Sequence, residues 1–363
     1  MSSKTKTIKN EITTDWYTSP DIYEQEQQLL FANKLIYIGH ELMVPDINDY
    51  RVLSNNTEIL VHNKNGIELI SNICRHHQAL MLEGCGNSNK IVCPIHMWCY
   101  NNEGTLLKTP HFSHEHSRHL PVKKLKTWSG LLFSGDLDPS PICFDNQLII
   151  MDDLDFTDYA YSNSVSFRHD FNWKVFIDNY LDDYHVRPFH PGLRNLVDCN
   201  QILWQFGKNY SSQKVGIQKN LFKKGPDAYK NWHHALLEYR NNAPPEYGAV
   251  WFLLYPNIMI EHYPEMLTIS VVIPDGPERC INTVDFFYPK KVIDTYQEII
   301  HLSQIAYHET AKEDETICDR IFRGKKSLAE QGIDDTGPYQ LPSEAGIPPF
   351  HDYLLNILGK HLK

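Results

Sequence analysis

Two short stretches, Cys74-Arg75-His76 and Cys93-Pro94-Ile95-His96, decide how the first third of this chain folds, because each ends a strand-like run and opens a loop. Sixteen residues separate His76 from Cys93. From Tyr37 to about Phe133 the surrounding pattern is one of short apolar alternations punctuated by turns. Glu58 to His62 and Ile67 to Ile70 flank Asn65-Gly66, a strong hairpin signal. Ile91 to Tyr100 and Thr105 to Leu107 flank Asn101-Asn102-Glu103-Gly104 in the same way. The pattern predicts a small all-β domain over residues 37–140, closed by the turn-rich run from Ser134 to Pro141.

Outward from that unit the pattern changes. Residues 1–36 read as a polar, fraying tail followed by an amphipathic helix from Asp21 to Leu35, with Ile22, Leu29, Leu30 and Ala32 on its apolar side. Residues 141–363 mix types. A helical stretch is expected from Trp173 to His185, and a long one from about Val292 to Leu328. Between them, Val250 to Tyr288 reads as three or four strands with turns at Pro256-Asn257, Pro264-Glu265 and Pro274-Asp275-Gly276-Pro277. Short turns between consecutive strands imply antiparallel pairing. The expected fold is α+β, a β-domain inserted near the start of a domain with an antiparallel sheet and long helices.

Composition narrows the function classes. With 42% apolar and 22% charged residues, the 363-residue chain matches an ordinary globular protein. No apolar run approaches the roughly 18 residues of a membrane span, and the start has no apolar core, so neither a span nor a secretory leader is expected. A net charge of −11 without a basic stripe argues against nucleic acid as a partner. Eight cysteines are too few for a disulfide scaffold, which leads to the expectation of a reducing, cytoplasmic setting. Clustered Cys and His residues then read as ligands or catalysts.

The two loops each supply one thiolate and one imidazole. Zinc sites usually take cysteines in one pair and histidines in another, so a zinc knuckle is the competing reading. The split instead suits a [2Fe–2S] cluster in which one iron takes Cys74 and Cys93 and the other takes His76 and His96, the Rieske arrangement. Neutral imidazoles in place of two thiolates raise the potential of such a cluster.

A second constellation lies in the run from Asn172 to His190. Trp173, Ile177, Tyr180 and Tyr184 form an apolar stripe; Asp178, Asp182 and His185 form a polar one. Pro188 disfavours helix at Arg187, which lets His190 swing back to meet His185. Two imidazoles and one carboxylate make the facial triad of non-haem Fe(II) oxygenases. Asp314 is the chosen acid, because Ile317, Cys318 and Ile321 place it on an inward helical stripe where a buried charge needs a partner. Asp182 is the competing acid.

Together these residues resemble the α subunits of Rieske non-haem iron oxygenases, of the aromatic-ring-hydroxylating type. The Asn-Tyr-Leu-acid-x-Tyr-His-x4-His signature falls on Asn179 to His190, and the resemblance runs from about Asp21 to the C-terminus. It implies a helix-grip catalytic domain, a Rieske cluster on Cys74, His76, Cys93 and His96, and mononuclear Fe(II) on His185, His190 and Asp314. It gives Asp182 a bridging role toward a cluster His of a neighbouring subunit in a homotrimer. His77-Gln78 and Met97-Trp98 depart from the family's usual basic-Gly and Gly-Trp pairs. The respiratory Rieske proteins carry an extra disulfide where this chain has Ala79 and Ile95, which favours the oxygenase branch.

No Gly-x-Gly-x-x-Gly occurs, so electrons are expected from a separate NAD(P)H-dependent reductase or ferredoxin. The expected reaction uses O₂ to hydroxylate or oxidatively cleave a small organic substrate. The strand Trp251 to Ile260 and the Asp314 region are most similar to choline, glycine betaine and carnitine oxygenases, which makes a quaternary ammonium compound the first choice and an aromatic acid the second. Trp251, Tyr255, Tyr263 and Phe287 are candidates for a cation–π cage, against the competing reading that they are core. Outside the enzymes, the alternative is a Rieske-type electron carrier, which would need no His185, His190 or Asp314.

Overall fold

The computed structural model describes residues 12–32, 34–114, 117–137, 139, 150–219, 225–333 and 337–359. The start of the polar tail and part of the expected boundary at Ser134 to Pro141 lie outside the described residues. The chain divides into two compact units, residues 33–139 and residues 1–32 with 140–363.

Within the first unit all sheet is antiparallel. A five-stranded sheet runs in the order Cys85–Asn87, Asp49–Val52, Glu58–Asn63, Gly66–Ser71, Val122–Lys124. Asn63 pairs with Gly66, so the hairpin turn is Lys64-Asn65, and Gly66 closes it at φ +107°. Three-stranded sheets form from Lys90–Val92, Cys99–Asn101 and Leu106–Lys108, and from Ile36–His40, Leu131–Ser134 and Lys126–Trp128. The five-stranded sheet and the sheet of residues 90–108 share a core that packs Ile59, Val61, Ile70, Ile91, Trp98 and Tyr100 around the thiols of Cys74 and Cys93.

Seven antiparallel strands build the second unit, in the order Tyr159–His169, Cys280–Pro289, Met266–Pro274, Ile258–Tyr263, Ala249–Leu254, Tyr210–Ile217, Val197–Phe206. Four of them are the strands expected between Val250 and Tyr288. Every residue of Ala249–Leu254 is buried, which is why its sequence is a continuous apolar run rather than an alternation. The other three strands and the helix Asp227–Tyr239 were not read from the sequence. Tyr159–His169 mixes polar and apolar residues at partly exposed positions, so its signal is weak.

The long helix spans Gln297–Glu330. Its inward stripe includes Ile317 and Cys318, both buried, whereas Ile321 is 39% exposed and falls off the stripe. The N-terminal helix Pro20–Glu26, capped by Ser19, continues as a wider π-type turn over Gln27–Phe31. Its Glu26 is fully buried and accepts hydrogen bonds from Trp173 Nε1 at 2.8 Å and from Lys174 Nζ. That buried pair fastens the helix to Trp173–Tyr180, which begins the site region.

Candidate metal centres and substrate pocket

The two loops of the first unit are built alike. Cys74 N–H donates to Ala79 O and Cys74 O accepts from Gln78 N–H, at 2.9 and 3.1 Å. Cys93 N–H donates to Trp98 O and Cys93 O accepts from Met97 N–H, at 2.9 and 3.0 Å. Gln78 and Met97, at matching positions, both adopt the left-handed conformation, with φ of 57° and 61°. These are the positions where the sequence departs from the family's glycines. The backbone keeps the glycine geometry although the residues are not glycine.

Cys74 and Cys93 are each 1% exposed, whereas His76 is half-buried and His96 exposed. Their rings lie 4.7 Å apart, and Trp98 stacks on His76 at 4.8 Å. Two buried thiols below two outward imidazoles match a cluster with one inner and one outer iron. The hydroxyl of Tyr100 lies 3.7 Å from Cys74 Sγ and accepts from Arg75 N–H at 3.1 Å. Sequence reading missed Tyr100. None of the seven described cysteines is in a disulfide.

In the second unit the expected helix from Trp173 to His185 stops at Tyr180. Asp182 Oδ1 accepts from the N–H of Tyr184 at 2.6 Å and of His185 at 3.3 Å, a local turn that competes with helix continuation. Asp182 and His185 therefore meet through this turn rather than along a helix face, and Tyr184 leaves the apolar stripe at 62% exposure. Asp178 bonds Tyr17 Oη at 2.6 Å and His351 Nε2 at 2.8 Å, away from the triad. A short helix, Val186–Phe189, then forms in spite of Pro188, which lies in its first turn where a missing N–H costs little. His190 N–H donates to Val186 O, so one helical turn returns His190 toward His185.

There the two imidazoles converge with Asp314 of the long helix. His185 Nε2 is 3.0 Å from His190 Nε2; Asp314 Oδ1 is 3.1 Å from His190 Nε2 and 3.5 Å from His185 Nε2. Bonds of about 2.1 Å at right angles around one ion would set three donor atoms about 3 Å apart, so the triangle fits one face of a six-coordinate metal. One ligand atom from each of the three residues lies within 4.8 Å of the others, close enough to hold a metal ion.

Each histidine has a carboxylate at its other nitrogen. Asp182 Oδ2 lies 3.0 Å from His185 Nδ1, and Glu313 Oε2 lies 2.7 Å from His190 Nδ1. Such partners fix the tautomer and raise ligand basicity. Asn179 Nδ2 donates to Asp314 Oδ1 at 2.8 Å and aims it. Glu313 and Asn179 were missed as site residues, although Glu313 neighbours Asp314 and Asn179 opens the signature. Burial works to raise the Asp314 carboxyl and to lower both imidazoles; hydrogen bonds from the two histidines win at Asp314 and hold it well below the usual range, and those of His185 with Asp182 and Asp314 lift that imidazole to about 10. The site attracts positive charge.

The triad opens on a cavity of about 370 Å³ whose wall includes Tyr180, Trp251, Glu261, Tyr263 and Tyr307. Of the four aromatic candidates, Trp251 and Tyr263 line this cavity. Tyr255 packs on Phe350 and Tyr353, and Phe287 on Phe156 and Tyr161, so both are core.

Comparison with known proteins agrees with this two-centre architecture. Residues 37–128 match the Rieske [2Fe-2S] domain and residues 156–360 match the ring hydroxylating alpha subunit catalytic domain. The chain belongs to the Rieske oxygenases and is an oxidoreductase whose cofactors are a Rieske [2Fe–2S] cluster and mononuclear iron. Like other α subunits it uses O₂, an organic substrate and electrons from a separate reductase. It is 42% identical to a putrescine 2-hydroxylase of Ralstonia nicotianae, with 94% of each chain covered. It is 28% identical to the chloroplastic choline monooxygenase of Beta vulgaris, over 93% of this chain and 75% of that one. In fold it is similar to a quaternary ammonium Rieske monooxygenase described with carnitine oxidation and inter-subunit electron transfer, at a TM-score of 0.70 and 20% identity, with 95% and 94% of the chains covered. No helix among the described residues is long and apolar enough to cross a membrane.

Proposed function

We infer that this protein hydroxylates a short aliphatic amine at a C–H carbon, taking one oxygen atom from O₂ and reducing the other to water. The balance is R–H + O₂ + two electrons + two protons → R–OH + H₂O. The observation that carries this reading is the His185–His190–Asp314 triangle at the edge of an aromatic cavity that also holds a buried carboxylate. The 42% relative acts on a diamine, whereas the choline oxygenase is more distant.

In this reading Cys74, Cys93, His76 and His96 hold the cluster, and His185, His190 and Asp314 hold the iron. When bound, the two groups supply the electrons and the O₂ activation that an amine C–H bond requires. Glu313 keeps the His190 tautomer, Asn179 aims Asp314, and Asp182 bears on His185. The protein works as a homotrimer in which partly exposed Asp182 also meets a cluster histidine of the adjacent subunit. Its immediate electron donor is an NAD(P)H-dependent reductase or a ferredoxin.

The test is turnover of the reconstituted protein with a surrogate reductase and ¹⁸O₂ against aliphatic amines, quaternary ammonium compounds and aromatic acids. The expected result is one ¹⁸O in a hydroxylated amine with matched O₂ uptake. Consumption of aromatic acids or quaternary compounds with amines left intact overturns the reading.

A further inference from the structure

A glutamate is an unusual resident of a buried central strand, and the run Ile258-Met259-Ile260-Glu261 places one there. Glu261 is 5% exposed and faces the cavity shared with the triad. In the sheet it lies opposite Trp251 on one side and Thr268 on the other, so all three side chains share one face. Tyr263, two residues on, joins that face. Trp251 Nε1 donates to Tyr263 Oη at 2.9 Å, and Tyr307 from the long helix meets Tyr263 edge to face at 6.2 Å. Thr268 Oγ1 donates to Glu261 Oε2 at 3.0 Å, and the hydroxyls of Tyr307 and Tyr263 also hydrogen-bond the carboxylate.

What the carboxylate lacks is a cation. Among the described residues, no Lys, Arg or His pairs with it. A buried ionised carboxylate without a counter-charge is costly, by several kcal/mol in real proteins. Such a group persists either as the neutral acid or as a carboxylate completed by a cation from outside the chain, and here the cavity leaves room for the cation. An aromatic wall beside a carboxylate is the environment that favours an organic cation.

We propose that Glu261 is the ammonium-binding residue of the pocket: its carboxylate accepts hydrogen bonds from a primary ammonium while the neighbouring rings of Trp251, Tyr263 and Tyr307 enclose it, which presents the attached carbon chain to the His185–His190–Asp314 triad. The assignment rests on the amine reading and sharpens it. A primary ammonium brings three N–H donors to a carboxylate; a trimethylammonium brings none and needs ring faces alone. Glu261 thus selects primary over quaternary amines and places the cation without touching the metal ligands.

The experiment is anaerobic calorimetric binding to the intact holoprotein, where no turnover occurs, with putrescine, its bis(trimethylammonium) analogue and neutral 1,4-butanediol. Wild type should prefer putrescine to both. Glu261→Gln should lose at least about 30-fold in putrescine affinity, the scale for removing one partner of a buried charge pair, with diol binding unchanged or tighter. An unaltered Rieske spectrum checks the fold, and the wild-type ranking of the three ligands stands as a test even where the variant is unstable. Parental putrescine affinity in Glu261→Gln, or equal wild-type affinity for the quaternary analogue, overturns the assignment and leaves the amine reading standing. A wild-type protein that binds no aliphatic amine overturns both.

Discussion

The four residues proposed for the cluster and the three proposed for the iron are brought to one point by opposite means. The loops do it locally: two tight turns of the same design, each with a left-handed residue, orient a Cys and a His two or three positions apart. The triad does it by assembly. His190 and Asp314 are 124 residues apart, and no residue between Trp173 and Leu196, Gly192 included, has a positive φ. There the ligands are set by one helical turn, by a long helix, and by side-chain bonds from Asn179, Asp182 and Glu313. The lesson is that backbone strain can be concentrated where ligands are close in sequence, whereas distant ligands need a surrounding shell of side chains.

The strongest challenge to that contrast is Asp314→Ala. An assembled site loses its geometry with one member, so mononuclear iron should be lost by more than the roughly 10- to 100-fold affinity drop of an outer-sphere change, with activity gone and the Rieske spectrum intact. Metal analysis and electron paramagnetic resonance check it. Full iron occupancy would move the acid role to Asp182 or Glu313.

Next in size is Asp182→Asn. The amide keeps an oxygen for the Tyr184 N–H but removes the charge beside His185 Nδ1. Iron content should stay near normal, while oxidation of the reduced cluster in a single turnover with substrate and O₂ slows by orders of magnitude. Cluster oxidation at the parental rate would confine Asp182 to holding the turn.

These outcomes bear on why the sequence was readable in some places only. The Rieske domain was legible because the spacing of Cys74, His76, Cys93 and His96, the residues proposed for its cluster, is dictated by local turns. Strands between Val250 and Tyr288 were legible because burial on both faces makes them apolar runs. The helix end at Tyr180 was not, since Asp182's bonds to backbone N–H groups outweigh a helical pattern that continues to His185. Ile321 was misplaced by extending an ideal stripe beyond the packed surface. Glu313, Asn179 and Glu261 were missed because their meaning depends on partners far away in the chain, which periodicity does not encode.

Glu261 offers a subtler measurement. Burial pushes its carboxyl from an ordinary 4.5 to about 7, with hydrogen bonds from Thr268, Tyr307 and Tyr263 opposing and the Asp314 charge adding. Tyr180 and Trp251 supply no further charge at neutral pH. A folded-state value above the unfolded one favours folding at low pH, and that contribution fades as pH rises through about 7 in the ligand-free protein. Amine binding needs the ionised form, so KM for an amine should rise up to about tenfold per pH unit below that point. A flat KM profile for a neutral substrate, and for Glu261→Gln with the amine, completes the expectation. An equally steep profile in the variant would assign the titration elsewhere.

The smallest effect tests the strained half of the comparison directly. Gln78 and Met97 hold φ of 57° and 61°, which costs a side-chain-bearing residue about 1–2 kcal/mol. Glycine removes that cost but adds unfolded-chain entropy of roughly 0.5–1 kcal/mol. Met97 is 57% exposed, so its side chain has little packing to lose. Gln78 donates to His76 O at 3.0 Å from an exposed position, a bond of small net worth that Gly would remove. Met97→Gly should therefore stabilise the cluster unit by about 0.5–1 kcal/mol and Gln78→Gly by less, with ligand geometry unchanged because the Met97 and Gln78 N–H bonds to Cys93 O and Cys74 O are backbone. For a unit of about 100 residues this is a rise of a few degrees in the temperature at which the visible circular dichroism of the cluster is lost. A fall of similar size in both variants would show that these loops are held by side chains, as the triad is, and would dissolve the distinction between the two centres.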